Sequence, residues 1–406
     1  MNSLACNLAD LVKLKSGVER LTLTDFRNYQ HLRLNAEIAP IIVYGENGSG
    51  KTNILEAISF LTPGRGLRGA KLADIKRFIP QIDKNQIAYE TPLHWTVVAE
   101  IVHNGEPYTL ATAVEKGVKE SDEEQDYRSF ERRIVKVDGT KISSQAELGR
   151  YFSAVWITPQ MDRLFRGGSQ PRRSFLDRLV YAFDMDHAKR TANFEHLYHE
   201  WYRLIKDGKR DNYWLESLEN NMAALGVAIA AARREQVARL NTFIEQEPDD
   251  VFPSVRLELD GTIEKALDTQ PAVTVEDLYQ TMLKQQRRFI LENDNPDGIN
   301  RTDFKVYFKK KGLPAELCST GEQKSLLISI ILAQTKCQIL HKGFSPVMLL
   351  DEVAAHLDDL KREALIEKIR ALNVQAWMTT TNPELFGSLR NDAQFFHVRD
   401  STAFSG

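Results

Sequence analysis

Between residues 20 and 26 apolar and polar positions alternate, the period of a strand with one buried face. Ala39-Pro40 then leads into Ile41-Ile42-Val43-Tyr44, a continuous apolar run of the kind that fills a strand buried on both faces. Past a glycine-rich stretch, Ile54, Leu55, Ile58 and Leu61 recur at helical spacing, so the chain opens as strand, turn, helix. The next stretch, 90–157, is strand-rich, with segments at 95–102, 108–114, 133–137 and 154–157. Asp138-Gly139 predicts a hairpin turn, and the acidic run 120–126 a solvated loop between strands.

Near residue 171 the period changes. Phe194, Leu197, Trp201, Leu204 and Ile205 form one helical face. After an Asp207-Gly208 break, Trp214, Leu218, Met222, Leu225 and Ile229 form another. Two such helices predict a helical hairpin set into an α/β core, and they are far too short for a long coiled-coil arm. A strand at 254–259 and a helix at 275–291 follow, and the core is expected to resume near Thr302. The pattern divides the chain into 17–170 (phosphate loop and strand-rich subdomain), 171–292 (helical insertion) and 293–406 (second lobe of the core). Residues 1–16 read as a poorly ordered extension without the features of a signal peptide.

Composition narrows the classes. The 406 residues carry a net charge of −3, so any nucleic-acid contact must come from a local basic patch. Candidate patches are 65–76, Arg172-Arg173, 206–210, and Lys305 with 309–311, each of a kind that is more often a solvated face than a phosphate contact. The best apolar run, 326–333, is too short to span a membrane and contains Ser329. The three cysteines, Cys6, Cys318 and Cys337, lack metal-type spacing and read as reduced thiols in a cytoplasmic protein.

Gly45-Glu46-Asn47-Gly48-Ser49-Gly50-Lys51-Thr52 is the one stretch whose chemistry is specific by itself. It matches G-x-x-x-x-G-K-[ST], in which glycines turn backbone N–H groups toward phosphate oxygens at a helix N-terminus. Lys51 is placed to reach the β- and γ-phosphates and the Thr52 hydroxyl to ligate Mg²⁺. Gly64-Arg65-Gly66-Leu67-Arg68-Gly69 fits the dinucleotide pattern G-x-G-x-x-G, but it follows a helix where that motif must follow a strand, and it reads as a basic, flexible loop. Further on, 346–350 is an apolar strand ending in Asp351 and Glu352. Asp351 is the candidate second metal ligand, and Glu352 the group that orients or deprotonates an attacking water. Strand alternation turns Glu352 away from Asp351. Between the two motifs, Ser319-Thr320-Gly321-Glu322-Gln323 opens an apolar helix. It reads either as an ordinary capped helix start or as a second anion-binding element.

The order phosphate loop, long insertion, S-x-G-x-Q and acidic strand resembles the ABC-type ATPases. At finer grain the chain is similar to the RecF family of bacterial recombination mediators from about residue 17 onward. The residues that carry this likeness are Phe26-Arg27-Asn28-Tyr29, Gly50-Lys51-Thr52-Asn53-Ile54-Leu55-Glu56-Ala57-Ile58, Ile157-Thr158-Pro159, and Pro171-Arg172-Arg173-Ser174-Phe175-Leu176-Asp177. The resemblance implies an α/β fold: an ABC-type ATPase head, with a P-loop core and an antiparallel β subdomain, carrying an inserted helical domain. It implies a homodimer with ATP and Mg²⁺ at its interface, Ser319, Gly321 and Gln323 of one copy facing the γ-phosphate held by the other. Arg27 and Asn28 join the phosphate loop as expected ATP contacts, and Gln160 is expected near Mg²⁺. Asp358 falls in the interface loop after the acidic strand, where His356 departs from the usual pattern. Thr380 stands where transporters carry a switch histidine, and Gly298-Ile299-Asn300-Arg301 replaces the family's usual G-P-H-R.

By the same resemblance the protein closes as an ATP-bound dimer on single-stranded or gapped DNA, hydrolyses ATP slowly, and works with recombination mediator proteins to load recombinase during repair. The rival readings are the ATPase subunit of a membrane transporter, a chromosome-structural SMC-type protein, and a non-hydrolysing ATP-gated adaptor. The absent switch histidine argues against the first, and the absent coiled-coil arm against the second.

Overall fold

The computed structural model describes residues 16–83, 86–90, 92, 94–119, 128–208, 211–246, 251–291, 296–354 and 357–405. The expectations for the leading segment up to residue 15, the acidic run 120–126, Cys6, Lys209, Arg210 and Ala355-His356 lie outside these. Two compact units divide the chain: Met1–Pro159 with Gln338–Gly406, and Gln160–Cys337.

Two six-stranded sheets form the bulk of the first unit. Strands β1 (Gly17–Phe26), β2 (Tyr29–Asn35), β6 (Thr96–His103), β7 (Glu106–Lys119), β8 (Arg128–Val137) and β9 (Thr140–Lys141) form an antiparallel sheet in the order β2-β1-β6-β7-β8-β9. The intervening β4 (Ile79–Asp83) and β5 (Gln86–Glu90) pair with each other. Along β1 the expected alternation holds over 20–24, where Leu21 and Leu23 are buried between the less buried Arg20, Thr22 and Thr24; Val18 and Phe26 are buried outside that phase. Strands β3 (Ile41–Tyr44), β10 (Ala154–Ile157), β14 (Val347–Leu350), β15 (Ala376–Thr380), β16 (Gln394–Arg399) and β17 (Thr402–Ser405) form the core sheet, ordered β10-β14-β15-β3-β16-β17. All its pairings are parallel except the β16–β17 hairpin. Strand β14 and residues 41–43 of β3 are apolar and fully buried, as strands covered on both faces are.

Helix α1 (Lys51–Ser59) follows β3 across the glycine-rich turn. Its C-terminal end packs on the antiparallel sheet through Phe26, Phe60 and Trp95, whose rings meet edge to face with centroids 5.6–6.1 Å apart. The buried Arg133 donates to the carbonyls of Phe60, Thr62 (3.3 Å) and Gly64 (2.6 Å), satisfying groups a helix end leaves unpaired. Burial pulls its pKa down to about 9, so at neutral pH the guanidinium is still a cation against the negative end of α1. The loop after α1 is not the flexible segment expected. Leu67 N–H donates to Ser59 Oγ (2.8 Å), and Arg68 binds Asn53 Oδ1 (2.9 Å) and Glu56 Oε2 (3.1 Å). Arg65 and Lys71 are exposed.

The second unit holds α2 (Ser169–Tyr181), α3 (His187–Lys206), α4 (Asn212–Gln246), α5 (Thr262–Thr269) and α6 (Ala272–Leu291), with β11 (Val255–Asp260), β12 (Asp303–Phe308) and β13 (Leu313–Pro314). The helical hairpin is α3 and α4, and α6 packs against both around Trp201, Met222, Ala223, Ile229, Tyr279 and Leu283. Helix α7 (Thr320–Lys342) begins in this unit, and α8 (Asp359–Leu372) lies in the first. The unit is wider than the expected insertion at 171–292. Strand β12 pairs along its whole length with β11, and the segment from there to Cys337, Ser319 included, clusters with this unit. Among the described residues no helix is long and apolar enough to cross a membrane.

A buried ion cluster joins α2, α3 and α4. Asp177 accepts two hydrogen bonds from Arg233 (2.8 and 2.9 Å) and one from His187 Nε2 (2.8 Å). Burial alone would raise the Asp177 pKa, but Arg233 and His187 outweigh it and hold it near 2, against an ordinary 3.8. Stability from this carboxylate is therefore present above pH 3.8 and lost as pH falls toward 2. Asp177→Asn removes the carboxylate that takes two hydrogen bonds from the buried Arg233, leaving Glu264 at 3.6 Å as its counter-ion, and should destabilise the unit by about 3 kcal/mol. Urea unfolding followed by tryptophan fluorescence measures this, and a loss below about 1 kcal/mol would show the cluster to be dispensable.

Candidate nucleotide-binding site

The turn from β3 into α1 is built on glycines with positive φ: Gly45 (155°), Gly48 (82°) and Gly50 (112°). Two are required by space as well. A Cβ on Gly45 would lie 2.2 Å from the Val398 carbonyl oxygen, and one on Gly50 within 2.9 Å of the Asn28 amide and the Tyr29 hydroxyl. The result is an open backbone loop ahead of a helix N-terminus, with Glu46, Asn47 and Gly48 exposed. Lys51 is buried at its root, and Nζ donates to the carbonyls of Gly45 and Glu46, both at 2.8 Å. Burial lowers its pKa, and the nearby Glu352 and Asp351 oppose that shift.

Asp351 leaves the end of β14 and meets Thr52 although the two are 299 positions apart: Thr52 Oγ1 donates to Asp351 Oδ1 at 2.8 Å. The same carboxylate oxygen accepts from Thr379 Oγ1 on β15 (2.7 Å). Thr379 Oγ1 in turn accepts the Glu352 N–H (2.8 Å). Glu352 has φ 52°, a left-handed conformation that costs a non-glycine residue roughly 1–2 kcal/mol. That turn, held by Thr379, aims the Glu352 side chain; strand alternation does not, because β14 ends at Leu350. A hydroxyl and a carboxylate oxygen in contact at a phosphate loop are hard donors of the kind Mg²⁺ takes when phosphates supply the remaining ligands.

Other expected site residues are placed differently. Arg27 grips Glu56 with both arms (2.8 and 2.6 Å) and is a structural clamp on α1. Asn28 holds the Ser49 carbonyl (3.1 Å), so it supports the loop. The Thr380 hydroxyl is engaged by Asn382 (3.0 and 3.1 Å), and the threonine that touches Asp351 is its neighbour Thr379. Sequence reasoning missed Thr379; its signal was a polar pair ending a buried strand. Gln160 is exposed on a short 3-10 turn, Pro159–Arg163, and belongs to the second unit by chain position.

Also in the second unit, Ser319 caps α7. Its Oγ accepts the Glu322 N–H (3.3 Å), and Glu322 Oε2 accepts the Ser319 N–H (2.9 Å). Gly321 is exposed in the first turn, and a Cβ there would have no neighbour within 4 Å. Gln323 corrects the expectation of a ligand. It is buried, and its Nε2 is spent on the carbonyls of Ala315 (2.8 Å) and Cys318 (3.0 Å), so it anchors the turn before the helix. Asp358 caps α8 by accepting the Lys361 N–H (2.9 Å).

The fold and this site define an ATPase head of the SMC and ABC type. The family model for the RecF/RecN/SMC N terminal domain matches residues 17–403. The DNA replication and repair protein RecF of Agrobacterium fabrum (strain C58) is 39% identical over 386 residues, covering 95% of this chain and 97% of its own. That of Mesorhizobium japonicum is 40% identical over 390 residues, covering 96% and 97%. The chain belongs to the RecF family of DNA replication and repair proteins. Among solved structures, the recombination mediator protein RecF-ATPrS of the RecFOR pathway superposes with a TM-score of 0.77 at 18% identity, covering 96% of this chain and 98% of that one. An SMC head bound to the C-winged helix domain of ScpA gives a TM-score of 0.51 at 14% identity, covering 96% of each. These likenesses concern the fold.

Thr379→Val keeps the side-chain shape and removes both hydroxyl bonds. Losing a hydrogen bond to a charged group should lower Mg²⁺-dependent ATP affinity by about tenfold to a hundredfold. Titration calorimetry at several Mg²⁺ concentrations reads the effect, and wild-type affinity would mean that Asp351 needs no such bridge.

Proposed function

We propose that this chain binds ATP with Mg²⁺, closes on it as a homodimer, and in that state holds single-stranded or gapped DNA in the cytoplasm so that recombination mediator proteins can load recombinase. The contact between Thr52 and Asp351 supports this reading most directly, since it joins the phosphate-loop hydroxyl to the acidic strand end. Bound Mg²⁺ would be held by Thr52 and Asp351 and would offset phosphate charge. Lys51 and the loop N–H groups grip the phosphates, and Glu352 orients the water for slow hydrolysis. Ser319 and Gly321 of the other copy complete the site from the γ-phosphate side. RecF-ATP, with a TM-score of 0.76 and 19% identity, and the curated relatives named for replication and repair make this nucleotide and pathway the reading of choice.

ATP acts here as a clamp ligand, which requires that it bind the closed dimer more tightly than the open chain. Lys51→Ala should weaken ATP binding at least about a hundredfold, as loss of a charge-assisted contact to phosphate demands, and abolish ATP-dependent DNA retention. Equal ATP affinity in wild type and variant would remove the site. Ser319→Ala should bind ATP normally yet stay monomeric in sizing chromatography with ATP; an ATP-driven dimer of this variant would refute the composite site. DNA affinity measured across a salt series, with and without ATP, counts the phosphates engaged at roughly 0.9 of a log unit per contact on duplex. A slope that ATP does not change would argue against closure on DNA. Glu352→Gln separates an ATPase from an ATP-gated adaptor, because only the former loses turnover.

A further inference from the structure

The phosphate loop is supported from behind by the last hairpin of the chain. Asp400 and Ser401 join β16 to β17 as a two-residue turn, both with left-handed backbone (φ 49° and 57°). This turn type selects glycine at its second position, where any side chain is strained. Among the described residues the same pair of positive φ values closes two other hairpins. Asn104-Gly105 (φ 54° and 82°) joins β6 to β7, and Asp138-Gly139 (φ 48° and 78°) joins β8 to β9. Both carry glycine in the place where the third hairpin carries serine.

The serine has a partner. Asn28 Nδ2 donates to Ser401 Oγ at 3.0 Å and to the Ser49 carbonyl at 3.1 Å, and Asn28 Oδ1 accepts from Asn53 Nδ2 at 2.7 Å. The amide is thereby fixed in orientation, since reversing it would set its oxygen against the Ser49 carbonyl. Asn28 thus ties the loop residue before Gly50, the first turn of α1 and the terminal hairpin into one unit. The hairpin also touches the other end of the loop, where the Val398 carbonyl oxygen fills the place of a Gly45 side chain.

We infer that Ser401 and Asn28 are positioning residues for the phosphate loop: the strained serine is kept because its hydroxyl fixes Asn28, and Asn28 fixes the Ser49-Gly50 peptide. This rests on the reading that the loop binds ATP. Ser401→Gly relieves the turn and removes the hydroxyl, so its two effects run in opposite directions. ATP affinity of the full-length protein should fall about threefold to tenfold, the worth of one neutral hydrogen bond. Its melting temperature without nucleotide should be no lower than that of wild type, because the backbone strain is gone.

Ser401→Ala, which keeps the strain and lacks the hydroxyl, should show the same affinity loss. Asn28→Asp turns a carboxylate oxygen on the Ser49 carbonyl and should weaken binding further. Adding Ser401→Gly to it should cost nothing more, since the two residues act through each other. Wild-type ATP affinity in Ser401→Gly overturns the inference. So does a parallel fall in affinity and melting temperature, which would assign the hydroxyl to the stability of the fold. Wild type and Lys51→Ala are measured in the same series. If wild type binds no ATP, the nucleotide reading falls and takes this inference with it. If wild type binds, Lys51→Ala does not, and Ser401→Gly equals wild type, only this inference falls.

Discussion

Everything at the candidate site depends on one carboxylate oxygen, Asp351 Oδ1, being held between two threonine hydroxyls. The sheet order explains why two are needed. Strand β15 lies between β14, whose last residue Leu350 immediately precedes Asp351, and β3, which feeds the phosphate loop. Strands two places apart in a sheet are separated by roughly 9–10 Å, more than an aspartate spans unaided. Thr379, on the intervening strand, fills part of that gap, and Thr52 at the start of α1 reaches back across the rest. The meeting of two motifs far apart in sequence thus reduces to strand order and one bridging hydroxyl.

The same bridge accounts for the strain at Glu352. A carboxylate with φ 52° directly after a ligand is costly, and here its N–H is held by Thr379. The turn brings both carboxylates near Lys51 without a longer loop, and of the two it is Asp351 that meets the loop hydroxyl. Arg27, Arg68 and Glu56 serve the loop from below. Glu56 is fully buried on α1 and is neutralised by two arginines from different segments, which fixes the rotation of the helix whose first residues are Lys51 and Thr52.

Local pattern made the phosphate loop, the buried strands and the helical hairpin legible in the sequence. The loop is specific because glycine and lysine spacing has few other uses, and the strands show because burial on two faces leaves an unbroken apolar run. Contacts between distant segments were not legible. Nothing local distinguishes Thr379 from Thr380, and only the pairing of β15 with β14 and β3 decides which faces the carboxylate. Gln323 looked like a ligand because it lies in a signature-like segment, yet the turn before α7 needs a donor for its carbonyls and takes that amide. The expected return to the core near Thr302 rests on local pattern too, which does not show that β12 pairs with β11.

For Ser319 the two readings of the sequence, helix cap and phosphate ligand, are chemically compatible. As a cap the hydroxyl accepts an N–H, here that of Glu322. As a phosphate ligand it donates its own proton, and one hydroxyl does both. The difficulty is Glu322 itself, an anion one turn from where a phosphate would sit. Lys311 answers it by pairing with that carboxylate, and this hydrogen bond, with those from Ser319, holds the Glu322 pKa near 2. The pair leaves the helix start close to neutral in side-chain charge, so the exposed N–H groups around Gly321 and the helix dipole set the local field. Capping therefore does not by itself set a negative charge against the start of this helix.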